Sequence, residues 1–195
     1  MGGFKNDIKD VQSMRIVILS VIVLGVVGTW LYLGAGNREL KPYVRNGLPF
    51  TVYAPKYIPA GLSLDKKATE GLSKGTNIGI PQFNLIYTDA AGTSGMAVTQ
   101  FDRARFKKDI LDAEKIGSFP DYFTRYRKAS LVKKGGFDLY IFVSSEKVKT
   151  VFGDMDYIAQ GFLLKDDSLI QVNYSGANKF SEDEMTRVLL SFSKV

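Results

Sequence analysis

The stretch from Tyr157 to Tyr174, YIAQGFLLKDDSLIQVNY, decides the fold of this chain. It contains two runs rich in aromatic and aliphatic residues, Tyr157 to Leu164 and Leu169 to Tyr174, which are separated by the polar tetrapeptide Lys165 to Ser168. Apolar runs of this length joined by a few turn-forming residues are typical of a β-hairpin. We therefore predict two antiparallel strands here.

Two similar patterns precede this one and predict further hairpins. Phe83 to Thr88 and Met96 to Phe101 flank a turn rich in Gly, Ser and Asp, while Arg127 to Val132 and Phe137 to Val143 flank Lys133-Lys134-Gly135-Gly136. Consecutive hairpins imply an antiparallel sheet. Two shorter strand-like segments come first in the chain, Phe50 to Ala54 and Leu62 to Asp65.

Two helices are predicted beside the sheet. Arg103 to Ile116 carries a weak amphipathic stripe that ends before Gly117. Ser181-Glu182-Asp183-Glu184 has the pattern of a capping box, which typically begins a helix. We expect this C-terminal helix to pack its apolar face on the sheet, which makes the fold α+β. The residues expected to share that face are Met185, Val188, Leu189 and Phe192.

An uncharged segment near the N-terminus predicts a membrane anchor. Ile16 to Asn37 runs for 22 positions without a charge, and 12 of the 18 residues from Ile16 to Leu33 are Ile, Val or Leu. A helix of that length can cross the hydrocarbon core of a bilayer once. We predict a short cytoplasmic tail (1–15), a transmembrane helix (16–36), a stalk (37–47) and an extracytoplasmic α+β domain (48–195).

Charge alone leaves the orientation of this anchor open. Three cations precede the span and three follow it closely, so the positive-inside rule gives a tie. We favour a cytoplasmic tail because Trp30 and Tyr32 lie where an outer aromatic belt is expected. A cleaved signal peptide is the alternative, with Gly34-Ala35-Gly36 as the small-residue site, although the apolar region is longer than usual.

The composition argues against most catalytic chemistry. The chain has no cysteine and no histidine, which excludes disulfides, thiolate metal sites, cysteine nucleophiles and every mechanism that depends on imidazole. We therefore expect no catalytic residues, no cofactor and no metal. An enzyme that uses carboxylates or lysine stays open, and Lys147, Asp154 and Asp156 are the residues that would test it.

The net charge of +6 is too mild to indicate a nucleic-acid partner. It suits loose contact with an anionic lipid or wall polymer. Basic clusters most commonly form a solvated face of a protein. The alternative is that they form a surface that binds a partner. The candidate partner surface consists of the densest basic positions, which are Lys107, Lys108, Arg125, Arg127, Lys128, Lys133 and Lys134.

Aromatic residues recur along the predicted strands, and we expect most of them to form the core. If some lined a concave face of the sheet under the C-terminal helix, they would form an apolar groove suited to a lipid or a peptide. The residues concerned are Phe50, Tyr53, Tyr57, Phe83, Tyr87, Phe101, Tyr140, Phe142, Tyr157, Phe162 and Tyr174.

The opening Phe50-x-Val52-Tyr53-x-Pro55-x-Tyr57-x-Pro59-x-Gly61 resembles the start of a domain-of-unknown-function family of bacterial extracytoplasmic proteins, which often lies behind one transmembrane helix. The strand Asn84 to Tyr87 and the helix that ends in Leu190-Ser191-Phe192 fit the same pattern, so the resemblance covers residues 48–195. A second resemblance is to the PsbP-like fold. Both resemblances imply a role in binding or assembly and supply no catalytic residues.

Together these features predict a non-catalytic binding or assembly module of the bacterial cell envelope, anchored by residues 16–36 and partnered by an envelope protein or a lipid. Two alternatives stay open. One is a membrane-tethered enzyme, and the other is a cytosol-facing accessory subunit of a membrane complex.

The anchor prediction is tested with a tag placed before Met1. We expect the tagged full-length chain to sediment with membranes and to leave them only in detergent, because residues 16–36 are long enough to span the bilayer. Western blotting of the fractions measures this. A mature protein that has lost the tag would instead indicate signal-peptide cleavage.

Overall fold

The hairpin predicted at residues 157–174 lies near the middle of an antiparallel sheet in the computed structural model, which describes residues 48–69, 81–149 and 155–195. Its strands pair in the register Phe162 with Gln171 and Leu164 with Leu169. The described residues belong to one compact unit with an α+β fold. The strands are β1 Tyr53–Pro55, β2 Ser63–Leu64, β3 Gln82–Thr88, β4 Ser94–Asp102, β5 Ser130–Lys134, β6 Phe137–Val143, β7 Val148–Lys149, β8 Met155–Lys165, β9 Ser168–Gly176 and β10 Phe192–Lys194.

Three helices complete the described part of the chain. The first, α1, begins as an α-helical turn at Arg103–Phe106 and continues as a π-helix over Lys107–Asp112. The second, α2, likewise passes from Phe119–Asp121 into a π-helix at Tyr122–Tyr126. The third, α3, spans Glu182–Leu190. Residues 66–69 add a single helical turn.

All three predicted hairpins are confirmed, and a longer connection joins them into one sheet. The strand order is β2-β3-β4-β9-β8-β6-β5, with β7 paired to the start of β8. Strands β4 and β9 are neighbours although they are far apart in sequence, with Val98 opposite Val172. The hairpin β8–β9 is therefore the element that connects the β3–β4 hairpin to the β5–β6 hairpin.

The two faces of the sheet are covered by different helices. Side chains alternate between the faces of a strand, so neighbouring residues of β8 meet different layers. At Gly161, an added Cβ would lie 2.5 Å from the sulfur of Met185 in α3. On the opposite face the ring of Phe162 stacks on Phe123 of α2, with centroids 4.8 Å apart. The core therefore has two parts, one under α3 and one under α1 and α2.

The C-terminal helix begins as predicted and ends earlier. The Ser181 hydroxyl accepts a hydrogen bond from the backbone of Glu184, whose carboxylate accepts one from the backbone N–H of Ser181. Met185, Val188 and Leu189 are buried as expected. Phe192 was predicted to share their helical face, which is wrong, because it begins strand β10 and pairs with Pro55 of β1.

A buried glutamine joins the small β1–β10 sheet to the large one. The side chain of Gln100 in β4 is fully buried, and it both accepts a hydrogen bond from the backbone N–H of Tyr53 and donates one to the Tyr53 carbonyl. A buried amide that satisfies both backbone groups of one residue fixes the position of that strand.

The prediction for residues 119–129 was also wrong. Helix α2 was missed, and β5 begins at Ser130 rather than at Arg127. The local signal is present, because the Ser118 hydroxyl caps the helix by accepting from the backbone N–H of Asp121, and Pro120 lies in the first turn.

The predicted tail, transmembrane helix and stalk (1–47) lie outside the described residues, as do residues 70–80 and 150–154. Within the described ranges no helix has the length and hydropathy that a membrane span requires.

The sheet approaches α3 closely at Gly161, and this generates a stability prediction. Gly161→Ala should lower the free energy of unfolding by about 1–3 kcal/mol, because the new methyl group overlaps Met185 and Leu189, both of which are buried. Urea denaturation measures the change. Gly117→Ala is the matched control, since a Cβ there would make an ordinary contact of 3.6 Å. Equal stability of the two variants would contradict close packing at Gly161.

Candidate functional site

A cavity of about 970 Å³ lies between α1 and α2 on one side and the tips of the β5–β6 and β8–β9 hairpins on the other. We call it the hairpin-tip cavity. Its helical wall includes Arg103, Lys107 and Phe119, and its sheet wall includes Asp138 and Tyr140. A volume of this size suits a small ligand or a few residues of a peptide.

The helical wall is held against the β8–β9 turn by the first residue of α1. The backbone N–H of Arg103 donates to the carbonyl of Asp167 at 2.9 Å, and the guanidinium donates to the carbonyl of Asp166 at 3.3 Å. The same guanidinium lies 5.7 Å above the ring of Phe119, a cation–π arrangement. Arg103 therefore connects both helices to the hairpin tip.

The β8–β9 turn also holds the chain segment that enters the domain. The Asp167 carboxylate accepts from the backbone N–H of Thr51 at 3.0 Å, and the Ser168 hydroxyl donates to the Thr51 carbonyl at 2.7 Å. The hydrogen bond from Thr51 lowers the pKa of Asp167. Its carboxylate is therefore ionised at neutral pH and cannot serve there as a proton donor.

A second carboxylate of this turn pairs with a tyrosine. The hydroxyl of Tyr53 donates to Asp166, and the Lys165 ammonium lies 4.9 Å from the centre of the Tyr53 ring. Burial, followed by the hydrogen bond to Asp166, raises the pKa of Tyr53 to about 12. The phenol is therefore neutral at physiological pH and acts here as a donor.

The cavity offers charges of both signs that are not used to build its walls. Asp102 caps α1 by accepting from the backbone N–H of Arg105, and Asp167 holds Thr51. By contrast, neither the Asp138 carboxylate on the sheet wall nor the Lys107 ammonium on the helical wall has an ion-pair partner among the described residues. These two groups are free to meet opposite charges on a ligand.

Aromatic rings support the floor of the cavity. Phe123 lies 4.8 Å from both Tyr140 and Phe162, measured between ring centroids, and Phe106 lies 5.3 Å from Phe101. Phe123 and Phe162 are fully buried. Such a close-packed aromatic layer holds the helices in place without chemistry of its own.

The predicted aromatic groove is corrected in its position. A groove under the C-terminal helix was the alternative to core packing, whereas the aromatic-lined cavity lies on the other face of the sheet, under α1 and α2. The cause is helix α2, which the sequence analysis missed and which covers that face with Phe119, Tyr122 and Phe123. Most of the aromatic residues on the strands are buried, as predicted.

The seven basic candidate residues do not converge on one site. Only Lys107 lines the hairpin-tip cavity, and Lys108 follows it on the exposed side of α1. Arg125 pairs with Asp121 at 3.4 Å, and Arg127 donates to the Tyr122 hydroxyl at 2.6 Å. The other three candidates, Lys128, Lys133 and Lys134, are exposed at the end of α2 and on β5.

The residues suggested for an alternative enzyme are not in the cavity either. Lys147 lies 5.8 Å from the ring centre of Tyr157, and Asp156 accepts from the hydroxyl of Ser175 at 2.7 Å. Asp154 lies outside the described residues. In residues 48–69, 81–149 and 155–195 no three acidic side chains are grouped as metal ligands would be.

Sequence reasoning missed Arg103 and Asp138 as site residues. Neither belongs to a motif, and they face one cavity only because the β8–β9 turn contacts α1. Asp138 and Tyr140 are two positions apart on a predicted strand, so their side chains lie on the same face of the sheet. This spacing, which places a charge beside an aromatic ring, was the available signal.

Neither a family model nor a curated protein matches the chain. Among solved structures it is similar to a protein from Bacteroides thetaiotaomicron VPI-5482, with a TM-score of 0.44 and 14% sequence identity. The similarity covers 73% of this chain and 45% of that protein, so the chain spans less than half of its length. The case for a function therefore depends on the geometry of the cavity.

The β8–β9 turn generates a prediction about pH. Asp167→Asn should lower the free energy of unfolding at pH 7 by about 1 kcal/mol or less, because the bond to Thr51 loses its charge and the carboxylate is largely exposed. A lowered folded-state pKa stabilises the fold above the unfolded value of about 4, and this contribution is lost as the pH falls below it. Urea midpoints at pH 7 and pH 3 should therefore differ less in the variant. An unchanged difference would contradict this role.

Proposed function

We propose that this chain is a non-catalytic binding module of the cell envelope, anchored by residues 16–36, with an extracytoplasmic domain that binds a segment of an envelope protein in the hairpin-tip cavity. The observation that carries the proposal is the cavity itself, which is lined by a cation and a carboxylate without ion-pair partners among the described residues, Lys107 and Asp138, together with the aromatic residues Phe119 and Tyr140.

The chemistry of the walls favours a peptide segment as the ligand. A protein segment carries side chains of both charges and apolar groups, which match Lys107, Asp138 and the rings of Phe119 and Phe137. Phe137 is 38% exposed, so an apolar side chain can contact it without rearrangement of the core. Aromatic residues at the centre of a binding site typically contribute a large part of the affinity.

The roles of the cavity carboxylates support binding rather than catalysis. Acid–base catalysis by a pair of carboxylates requires one protonated and one ionised group at the reacting bond. Asp102 and Asp167 are used to cap α1 and to hold Thr51, and the pKa of Asp167 is lowered. A wall-building role for these groups agrees with the absence of histidine and cysteine from the sequence.

Site-specific photocrosslinking in membranes of the native host tests this function. A photoreactive residue at Phe137 should crosslink one discrete protein, because it lies on the cavity wall. The same residue at Val148 is the matched control, since Val148 is 37% exposed and does not line the cavity. The crosslinked product is identified by mass spectrometry.

A charge reversal completes the test. Lys107→Glu should lower the yield of the Phe137 crosslink about tenfold, which corresponds to the loss of one favourable charge contact and the gain of a repulsive one. Lys108→Glu, one residue further along and outside the cavity, should leave the yield unchanged. Equal effects of the two variants would rule out the cavity as the binding site.

Protease shaving of intact cells checks the proposed orientation, because an extracytoplasmic domain is cleaved and a cytosolic one is protected.

A further inference from the structure

The sequence between Asp121 and Asp138 combines positive charge with exposed apolar groups in an unusual way. It contains five cations and no carboxylate. It also contains three of the four large apolar side chains that are exposed in the described part of the chain, Tyr126 at 60%, Leu131 at 46% and Phe137 at 38%. We call this surface the basic edge, and its members are Arg125, Tyr126, Arg127, Lys128, Leu131, Lys133 and Lys134; Phe137 belongs to the wall of the hairpin-tip cavity.

The end of α2 and the first residues of β5 bring most of the basic edge together in space. The end of α2 leads directly into β5, and the backbone N–H of Ala129 donates to the Phe123 carbonyl at 3.0 Å. In the β5–β6 register Leu131 lies opposite Tyr140, so both residues point to the face that α2 covers. Lys133 has the same orientation as Leu131, two residues further along.

The apolar groups of the basic edge are held by the fold. The ring of Tyr126 stacks on Tyr122, with centroids 6.3 Å apart and an interplanar angle of 23°. The β5–β6 turn is formed by Gly135 and Gly136, both with positive φ, which is the geometry of a tight two-residue hairpin turn. This turn fixes Lys134 at the hairpin tip, where its side chain points to the face opposite to that of Lys133.

Much of the positive charge is available to a partner. The ammonium groups of Lys128, Lys133 and Lys134 form no ion pair within the ranges that the structure describes. Arg125 pairs with Asp121, but its side chain is still 77% exposed. Asp138 lies opposite Lys133 in the β5–β6 register and Asp121 pairs with Arg125, so the five cations of the edge face two carboxylates at its borders and the net charge of the edge stays positive.

We propose that the basic edge docks the domain on an anionic lipid surface. Lysine and arginine beside a bilayer are attracted to acidic headgroups, and tyrosine is favoured at the boundary between headgroups and acyl chains. The side chains of Tyr126 and Leu131 enter that boundary, and the cations contact the headgroups around them.

The alternative occupant is a strand from another protein, because β5 is an edge strand of the sheet. Lysines on an edge strand typically prevent strand addition, and β5 ends in Lys133 and Lys134. The observations therefore favour lipid over a β-strand partner. The docking does not depend on what the hairpin-tip cavity binds. The proposed anchor serves only to keep the domain near the bilayer. A stalk of 11 residues (37–47) reaches at most about 40 Å.

The test uses the full chain, which has no cysteine, so that one introduced cysteine carries one spin label. Leu131→Cys places an apolar nitroxide on the basic edge, and Ala177→Cys places one on the exposed segment after β9, at the opposite end of the sheet. Each protein is reconstituted in vesicles of phosphatidylcholine alone or mixed with phosphatidylglycerol. Accessibility of the nitroxide to oxygen and to a water-soluble nickel complex measures its depth.

We expect the label at position 131 to enter the lipid only when phosphatidylglycerol is present, while the label at 177 stays in water. Adding Lys133→Glu and Lys134→Glu should lower the ratio of docked to undocked domain at least about tenfold, because each basic residue near an anionic surface contributes strongly to attraction. The matched control, Lys107→Glu with Lys108→Glu, should have little effect. If residues 16–36 do not insert, sedimentation of the chain with the same vesicles gives the same comparison.

Three results would overturn the proposal. The first is a label at 131 that stays in water in both lipids. The second is equal docking in both lipids without an effect of charge reversal, which would indicate nonspecific adsorption. The third is immobilisation of the label by proteins of a host membrane extract but not by lipid, which would indicate a protein occupant. The Phe137 crosslink is read separately, so failure of the proposed function and failure of lipid docking are distinguishable.

Discussion

The two-residue turn at Asp166-Asp167 holds remote parts of the described chain together. Its backbone carbonyls accept from Arg103 at the start of α1, and its side chains accept from Thr51 and Tyr53. Two segments that are remote in sequence, the start of α1 and residues 51–53, are thus fixed to one hairpin tip. Asp166 has a φ of 50°, a left-handed conformation that aspartate tolerates better than most residues. The identity of this residue therefore affects the cavity through the backbone as well as through its carboxylate.

The hairpin that carries this turn also organises the core. Adjacent residues of β8, Gly161 and Phe162, contact α3 and α2 on opposite faces of the sheet. Gly161 lets α3 pack close to one face of the sheet, and the ring of Phe162 fills the space between the other face and α2. One strand therefore sets the spacing of both helical layers, and the walls of the cavity follow from that spacing.

The parts of the fold that local signals encode were predictable from the sequence. The three hairpins and the Ser181 capping box depend on residues within a few positions of one another. Helix α2 was missed because Phe119, Tyr122 and Phe123 resemble the aromatic pattern of the strands. Strand β10 was missed because Phe192 continues the helical periodicity of α3, and only its pairing with Pro55 makes it a strand.

The candidate site was less predictable than the fold. Of the basic residues selected from the sequence, Lys107 alone lines the cavity. Asp138 and Arg103 become neighbours of that cavity only through tertiary contacts of the β8–β9 turn, which no local pattern reports. The π-helical continuation of α1 and α2 also lay beyond sequence reasoning, because it reflects packing rather than propensity.

The pairing of β1 with β10 has a consequence for the ends of the domain. Val195 donates its backbone N–H to the carbonyl of Val52 at 3.1 Å, so the last residue of the chain lies beside the point where the chain enters the sheet. Residues 52–55 and 192–195 therefore lie side by side. A fusion after Val195 emerges beside this pair of segments, and a circularly permuted chain that joins the two ends needs only a short linker.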